Sequence, residues 1–187
     1  NRISEAGLPE LLVRDAPVDV RTKSLKVSRP EIYYGETMDE TVFVRTAQAE
    51  FNYPSGSSEV NTRYEGKGGF PMSSLPMRAL ATVAGGDWNI LLTNALTPES
   101  RMMIRRKVGE RVAALAPFLG WDEDPYLVNT EDGRLVWIID GYTTSQSHPY
   151  SRGVAMENLG RFNYIRNSIK ATVDAYDGDV HLYVFDD

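Results

Sequence analysis

The chain has 187 residues, and 20 lysines and arginines against 26 aspartates and glutamates give a formal net charge of −6 at pH 7. It contains no cysteine and two histidines, which excludes disulfide scaffolds, thiol nucleophiles, thiolate metal sites and an all-imidazole zinc site. The acidic balance argues against a general nucleic-acid-binding surface. Hydrophobic residues at 42% and charged residues at 25% are typical of a globular domain.

The first half of the chain predicts short strands and short helices separated by long loops rich in proline and glycine. Alternating or continuous apolar residues predict strands over 25–34, 41–46 and 50–53. A helix is predicted over 74–83, closed by a pair of glycines, and Asp87 is placed to cap a further turn through Leu92.

The second half predicts a long amphipathic helix over 98–116. Thr97 suits the capping position, and Pro98 suits the first helical position. One apolar stripe then recurs at helical spacing, formed by Ile104, Val108, Val112, Leu115 and Leu119. We expect this helix to bury the stripe on a sheet.

Two hairpins follow the predicted helix. Strands over 126–129 and 135–139 flank the dipeptide Asp132-Gly133, which favours a tight turn. Alternation over 165–176 leads to Asp177-Gly178 and a last strand. A two-residue turn there would place Asp174 opposite His181 on a polar face.

The predicted fold class is therefore α+β, with a mainly antiparallel sheet and the long helix packed on one face. The predicted division is a mixed region of strands, loops and short helices over 1–97 and a helix with four strands over 98–187. The two parts are also compatible with one compact unit.

A glycine-rich run at 64–69 precedes a predicted helix, and such backbone can cradle an anion with Lys67 adding charge. The alternative is a structural turn, because loop glycines most often serve backbone geometry. The spacing differs from that of a nucleotide-binding P-loop.

Acidic residues cluster after the predicted helix. Asp122 and Asp124, with Glu123 between them and Asp140 further on, could bind a hard cation or form an acid and base pair. The alternative is a solvated acidic loop.

Basic residues are frequent along the predicted helix, where Arg101, Arg105 and Arg106 are followed by Lys107 and Arg111. An outward basic face could contact anionic lipid headgroups, and the alternative is a solvated face without a ligand. No nucleophile motif accompanies His148, so the sequence predicts no catalytic residues and no cofactor.

Several short sequence segments occur in a specific order along the chain. They lie at 29–36, 50–56, 64–69, 96–101, 116–119, 124–128, 163–168 and 173–178. Together they resemble the bacterial membrane-protein family known as uncharacterised protein family 0182, over nearly the whole chain. The resemblance implies a polytopic membrane protein with a long soluble region outside the cytoplasmic membrane. Because the chain begins at Asn1 and holds no stretch of about 18 apolar residues, we expect it to be a fragment of that region.

The resemblance implies location rather than chemistry, and it supplies no catalytic residue. The expected function is a non-enzymatic interaction or sensing domain on the extracytoplasmic side of the cell membrane. Its expected partners are the remainder of its own protein, other envelope proteins or lipid headgroups, and not nucleic acid. Two alternatives stay open: a carboxylate-based or metal-assisted envelope hydrolase or transferase, and a domain that contacts anionic lipid.

Overall fold

The computed structural model describes Ile3, Gly7, Pro9 and residues 11–14, 18–22, 25–55, 57–157 and 159–185. The described residues form an α+β structure in which antiparallel strands predominate and the helices are short. The predicted fold class is thus confirmed. No helix in these ranges has the length and apolarity needed to cross a membrane.

The first half contains small sheets and two helices. Its elements are β1 (Val13–Arg14), β2 (Asp19–Val20), β3 (Val42–Val44), β4 (Glu50–Ser55), β5 (Ser58–Thr62), β6 (Phe70–Pro71), α1 (Leu75–Gly85) and α2 (Asn89–Leu92). Strands β1 and β2 form one antiparallel pair, and β4 and β5 form another. The strand predictions at 41–46 and 50–53 and both helix predictions are confirmed.

The second half contains one larger sheet. The elements of this half are β7 (Arg101–Met103), α3 (Val108–Leu115), β8 (Gly120–Trp121), β9 (Tyr126–Asn129), β10 (Leu135–Ser145), β11 (Val154–Met156), β12 (Gly160–Phe162), β13 (Tyr164–Asp174) and β14 (Val180–Val184). The sheet has the order β14-β13-β10-β8, with β9 also paired to β10. Strand β7 lies between β3 and β6.

The main core lies between α3 and this sheet. Its buried residues come from both sides of residue 97 and are Tyr34, Val44, Tyr64, Met103, Val108, Val112, Ala116, Trp121, Ile139, Ala171 and Val173. Burial of such side chains from water is the main favourable contribution to folding. The boundary between 1–97 and 98–187 stays a prediction.

The predicted helix over 98–116 is wrong in its first ten residues. The hydroxyls of Thr97 and Ser100 donate to the Arg45 carbonyl at 3.1 and 2.9 Å, and β7 then pairs with β3 through Val44 and Arg101. Tertiary strand pairing therefore overrides the local helix signals. The helix begins only at Val108 and still packs on the sheet as predicted.

The predicted strand over 25–34 is also wrong. The segment has no strand ladder, and it is held by isolated hydrogen bonds to the ends of the two hairpins. The Ser28 amide donates to the Gly133 carbonyl at 2.8 Å, while the amides of Tyr33 and Tyr34 both donate to the Ala175 carbonyl. These contacts bring Tyr34 into the core.

The predicted cross-strand pair of Asp174 and His181 is wrong, because Thr172 lies opposite His181. The Asp174 carboxylate accepts from the amides of Tyr176 and Asp177, both at 2.9 Å, which widens the turn by two residues on the β13 side. Side-chain capping of this kind competes with a two-residue turn. In the other hairpin the two-residue turn at Asp132-Gly133 is also wrong: Asn129 pairs with Leu135, not Val136, and the Thr130 amide donates to the Arg134 carbonyl at 2.9 Å, so the loop has three residues.

The predicted alternation along β13 breaks at a bulge. Gly141 pairs with Ile169 but Tyr142 pairs with Asn167, so Ser168 is the extra residue. A bulge reverses the faces of the residues beyond it. Ser168 is consequently buried and Ile165 is exposed, contrary to the alternation.

Candidate functional site

The residues 64–69, here called the glycine loop, hold a carboxylate that belongs to the protein itself. Asp177 Oδ1 accepts hydrogen bonds from the Lys67 amide at 2.9 Å and from the Gly68 amide at 3.4 Å. It also accepts from the Tyr64 hydroxyl at 2.5 Å. The Gly68 amide also donates to the Tyr64 hydroxyl at 2.6 Å, so the amides predicted to cradle a bound anion are occupied by Asp177 and Tyr64.

The contact between Asp177 and the glycine loop explains why residues 66 and 68 are glycines. A Cβ atom at Gly66 would lie 1.9 Å from Asp177 Oδ1, and one at Gly68 would lie 2.2 Å from the Asp177 carbonyl oxygen. Both distances are far below van der Waals contact, so any side chain there would displace the turn that carries Asp177. The glycines serve close backbone approach.

The carbonyl groups of the glycine loop are bound by arginines. Arg101 donates from Nε to the Gly68 carbonyl at 2.6 Å, and from Nη2 to the carbonyls of Lys67 and Gly69 at 2.6 and 2.8 Å. Arg45 donates to two more loop carbonyls, those of Tyr64 and Gly66. Arg101 thus stabilises the loop, and its donors are not directed at a ligand.

Arg106 is likewise committed to the backbone. Its Nε donates to the Tyr33 carbonyl at 2.7 Å and its Nη1 to the Glu40 carbonyl at 3.2 Å. Burial lowers the pKa of Arg106 from its ordinary value. Because Arg101 lies on a strand and Arg106 precedes the helix, the predicted basic helix face does not form.

The remaining two predicted binding residues, Lys67 and Arg105, lie at one cleft. The cleft has a volume of about 480 Å³ and is lined by residues of the glycine loop, of α3 and of the β13–β14 turn. Its charged and polar lining residues are Tyr34, Lys67, Arg105, Arg111, Asp177 and Asp179. Its apolar walls include Phe70, Ile104 and Leu115. The predicted helix over 98–116 groups Arg105 with Arg101 and Arg106, whereas in the structure Arg105 precedes α3 and lies at the cleft with Lys67.

Three tyrosine rings pack against one another at the start of the glycine loop, and one of them is Tyr64 of the loop itself. The ring centroids of Tyr33, Tyr64 and Tyr176 lie 4.8–5.2 Å apart, and the Arg29 guanidinium lies 4.8 Å above the Tyr176 ring. Burial, followed by a hydrogen bond to a carboxylate, raises the pKa of Tyr33 and of Tyr64. These rings support the loop from inside and are not an exposed stacking surface.

The structure brings two of the predicted acidic residues together, since the Asp122 amide donates to the Asp140 carbonyl at 2.9 Å, but their carboxylates are bound by other side chains. Asp140 forms an ion pair with Lys170, and this hydrogen bond raises the pKa of the ammonium group. Asp122 Oδ2 accepts from the Tyr142 hydroxyl at 2.9 Å, and its other oxygen accepts from the Asp124 amide. Within the described ranges, no three histidine, aspartate or glutamate side chains are placed to share a metal ion.

His148 has a structural environment. Its ring stacks on Tyr164 with centroids 4.3 Å apart, and its amide donates to the Asn163 side chain at 3.1 Å. Nothing in these contacts arranges a nucleophile next to the imidazole.

A second surface feature lies on α1, whose polarity is inverted. The two polar side chains of the helix point inward: Arg78 donates to the carbonyls of Met72 and Leu96, and Thr82 donates to the Arg78 carbonyl. The exposed positions are all apolar and form what we call the apolar face: Leu75, Pro76, Ala79, Leu80, Val83 and Ala84. A surface helix ordinarily shows the opposite arrangement.

The exposure of this face is large. Leu80 is 63% exposed and Val83 is 77% exposed, and in the adjoining α2 region Trp88 is 70% exposed. A groove of about 200 Å³ runs beside Leu80 and is lined by apolar residues. The sequence contains a signal for this surface, because Arg78 and Asp87 are the sole charged residues between Lys67 and Glu99. The prediction of short helices did not use that signal.

The fold and these surfaces define an α+β region with an exposed apolar helix face and a charged cleft. The chain belongs to the family described as Uncharacterised protein family (UPF0182), whose model matches residues 1–187. It is 62% identical over 185 residues to a UPF0182 protein of Solibacter usitatus, covering 99% of this chain and 20% of that protein. It is 50% identical over 186 residues to UPF0182 proteins of Geobacter sp. strain M21 and of Pelobacter propionicus, covering 100% of this chain and 20% of each.

The chain therefore spans about a fifth of the length of these curated relatives. The predicted family is confirmed, and so is the prediction that such a chain corresponds to a fragment of a longer protein. No solved structure matches the chain.

Proposed function

We propose that these residues form a non-enzymatic interaction domain of a longer membrane protein, on the extracytoplasmic side of the cell membrane. The observation that carries the proposal is the inverted polarity of α1, which leaves an apolar face outward and turns Arg78 and Thr82 inward. Contiguous apolar surface of this kind marks an interaction site.

The occupant that we propose for the apolar face is a segment of the same polypeptide outside these 187 residues. The curated relatives are about five times longer than the chain, so most of such a protein lies beyond the region described here. A tethered segment also needs less affinity than a free partner, because its effective concentration is high. The absence of charge on the face favours an apolar segment as the occupant.

The membrane location is proposed from the resemblance between this chain and membrane proteins of the family. Its test uses the fact that the chain has no cysteine. A Glu131→Cys variant of the full-length protein places one thiol on the exposed β9–β10 turn. We expect a membrane-impermeant thiol reagent to label this peptide in intact cells. Labelling only after lysis would contradict the extracytoplasmic location.

Docking is tested by producing the 187-residue chain and the rest of its polypeptide as separate proteins. The unaltered chain should copurify with the rest, and Leu80→Asp and Val83→Asp should abolish this because they bury a charge in an apolar contact. Val184→Asp is the matched control, since Val184 is an apolar residue of β14 that is 71% exposed.

Three results would overturn the proposed occupant. They are copurification that survives both α1 substitutions, dimerisation of the isolated chain that both substitutions abolish, and binding to phosphatidylglycerol vesicles that both abolish. The second would assign the face to another copy of the chain, and the third would assign it to a lipid surface.

A further inference from the structure

The cleft beside the glycine loop contains a buried hydroxyl without a partner. Tyr34 is 0% exposed, and its hydroxyl oxygen has no hydrogen-bond partner among the described residues. Tyr34 is one of the residues that line the cleft, and the Arg111 guanidinium lies 4.7 Å from the centroid of its ring. Buried polar groups almost always form a hydrogen bond. An unpaired hydroxyl in a residue that lines a cleft therefore indicates that a bound ligand supplies the acceptor.

The hydroxyl is available as a donor over the physiological pH range. Burial raises the pKa of Tyr34 above its ordinary value, outweighing the opposing influence of Arg111 and Arg106. The hydroxyl is therefore neutral and can donate a hydrogen bond to a ligand oxygen that reaches it.

Two cationic side chains at the cleft are uncommitted. Within the part of the chain that the structure describes, neither Lys67 nor Arg105 forms an ion pair with a carboxylate. Arg105 also has a left-handed backbone with φ of 48°. Such strain in a residue other than glycine concentrates at functional sites.

A third cation is held rigidly at the same place. Arg111 donates from Nε to the Gly178 carbonyl at 2.7 Å and from Nη1 to the Ile104 carbonyl at 3.3 Å. These bonds leave Nη2 unassigned and fix the guanidinium over the Tyr34 ring.

The two carboxylates at the cleft differ in how far hydrogen-bond donors offset their negative charge. Asp177 is bound by the glycine-loop amides and the Tyr64 hydroxyl, which offset its charge. Asp179 is exposed at the edge, and its carboxylate has no hydrogen-bond partner among the described residues. The cleft is therefore most favourable to an anion near Lys67, Arg105 and Arg111, with Asp179 as an opposing charge at the rim.

We propose that this cleft binds the oxyanion group of a small organic phosphate or carboxylate, held by Lys67, Arg105 and Arg111, with the Tyr34 hydroxyl donating to an anion oxygen. The apolar walls at Phe70, Ile104 and Leu115 accept the organic part. The volume of about 480 Å³ is within the range of small-molecule sites. This site would give the region a sensing role and does not depend on the proposed docking of α1.

The test is calorimetric titration of the chain with phenyl phosphate, benzoate and inorganic phosphate. We expect saturable binding of phenyl phosphate or benzoate at one site, and weaker binding of inorganic phosphate, which has no apolar part. Arg105→Ala should weaken binding about tenfold, as expected for a lost charge-assisted hydrogen bond. Tyr34→Phe should weaken it about threefold to tenfold.

Two further variants sharpen the test. Asp179→Asn should tighten binding, because it removes the opposing charge, whereas Arg63→Ala should leave binding unchanged because Arg63 pairs with Glu99 outside the cleft. Tyr34→Phe should not lower the melting temperature of the unliganded chain, since it removes a hydroxyl that has no partner.

The inference is overturned if none of the three probes binds, or if binding persists unchanged in Arg105→Ala and Tyr34→Phe variants that remain folded by circular dichroism. Equal weakening by Arg63→Ala and Arg105→Ala would also overturn it, because it would show non-specific attraction to positive charge. The last part of the experiment measures binding of the chain to phosphatidylglycerol vesicles. Binding to vesicles without binding to the soluble probes would replace a small organic anion with a lipid surface.

Discussion

The Tyr64 hydroxyl donates a 2.5 Å hydrogen bond to the carboxylate of Asp177, which lies 113 residues further along the chain. This contact joins the glycine loop to the turn between β13 and β14. Arg101 binds the opposite side of the same loop through three carbonyls. The loop is thus held from both sides by groups of opposite charge, and it forms one wall of the cleft.

Replacing Asp177 by alanine should destabilise the chain by about 2 to 4 kcal/mol, because the Tyr64 hydroxyl and the Lys67 amide lose their acceptor. Urea unfolding followed by circular dichroism measures this difference. Asp179→Ala is the matched control and should change the free energy of unfolding by less than about 0.5 kcal/mol. Equal effects of the two substitutions would contradict the role given to Asp177.

Alanine at Gly68 should be strongly destabilising, since its Cβ would lie 2.2 Å from the Asp177 carbonyl oxygen. Alanine at Gly109 in α3 is the control, because its Cβ would meet nothing within 4 Å. There the substitution should stabilise the chain by about 0.5 to 1 kcal/mol through helix propensity. Thermal unfolding should separate the two variants in opposite directions from the unaltered chain. A stable Gly68→Ala variant would show that the loop does not dock as described.

Replacing Arg101 by methionine should cost about 2 to 3 kcal/mol, because three loop carbonyls lose a charged donor. Methionine retains much of the apolar stem and so limits the loss to the guanidinium contacts. Arg63→Met removes an exposed ion pair with Glu99 and should cost no more than about 1 kcal/mol. If Arg63→Met were the more damaging change, Arg101 would not stabilise the loop.

Stability should fall at alkaline pH. In the unfolded chain a tyrosine ionises near about pH 10, whereas burial and then the Asp177 hydrogen bond raise the pKa of Tyr64 in the folded chain. The stabilising contribution is therefore complete below about pH 10 and is lost as the pH rises toward the folded value, by up to about 1.4 kcal/mol per pH unit for one such group.

The measurement is urea unfolding at about pH 8 and at about pH 11, on either side of the ordinary tyrosine pKa. Tyr64→Phe should reduce the alkaline loss, although it is less stable than the unaltered chain at neutral pH. Tyr183→Phe, at a position 53% exposed, should leave the pH dependence unchanged. An undiminished alkaline loss in Tyr64→Phe would show that this hydroxyl is not held neutral by the fold.

The elements that the sequence predicts correctly are those whose capping residues form their hydrogen bonds within the same element. Ser74 caps α1 by accepting from the Met77 amide at 3.4 Å, and Gly86 ends it with φ of 67°. The segment at 98–107 carries equally clear helix signals, but Ser100 bonds to Arg45 and β7 pairs with β3. That pairing depends on a strand more than 50 residues earlier, which no local window contains.

The candidate sites show the same limit. The glycine run predicts that the backbone at Lys67 binds negative charge, and the negative charge is supplied by Asp177 from a distant turn. The sequence identifies Arg101 and Arg106 as cations, but their acceptors are backbone carbonyls that a sequence does not reveal. The unpartnered Tyr34 hydroxyl follows only from three-dimensional packing.

The most direct test of the interaction role is the accessibility of the apolar face in the full-length protein. A Val83→Cys variant places a thiol at the centre of that face, and its alkylation rate can be followed by peptide mass spectrometry. We expect rapid alkylation in the isolated 187-residue chain and at least tenfold slower alkylation in the full-length protein, with the Glu131→Cys control reacting equally in both. Equal rates for Val83→Cys in the two proteins would contradict the docking of α1 on the rest of the polypeptide.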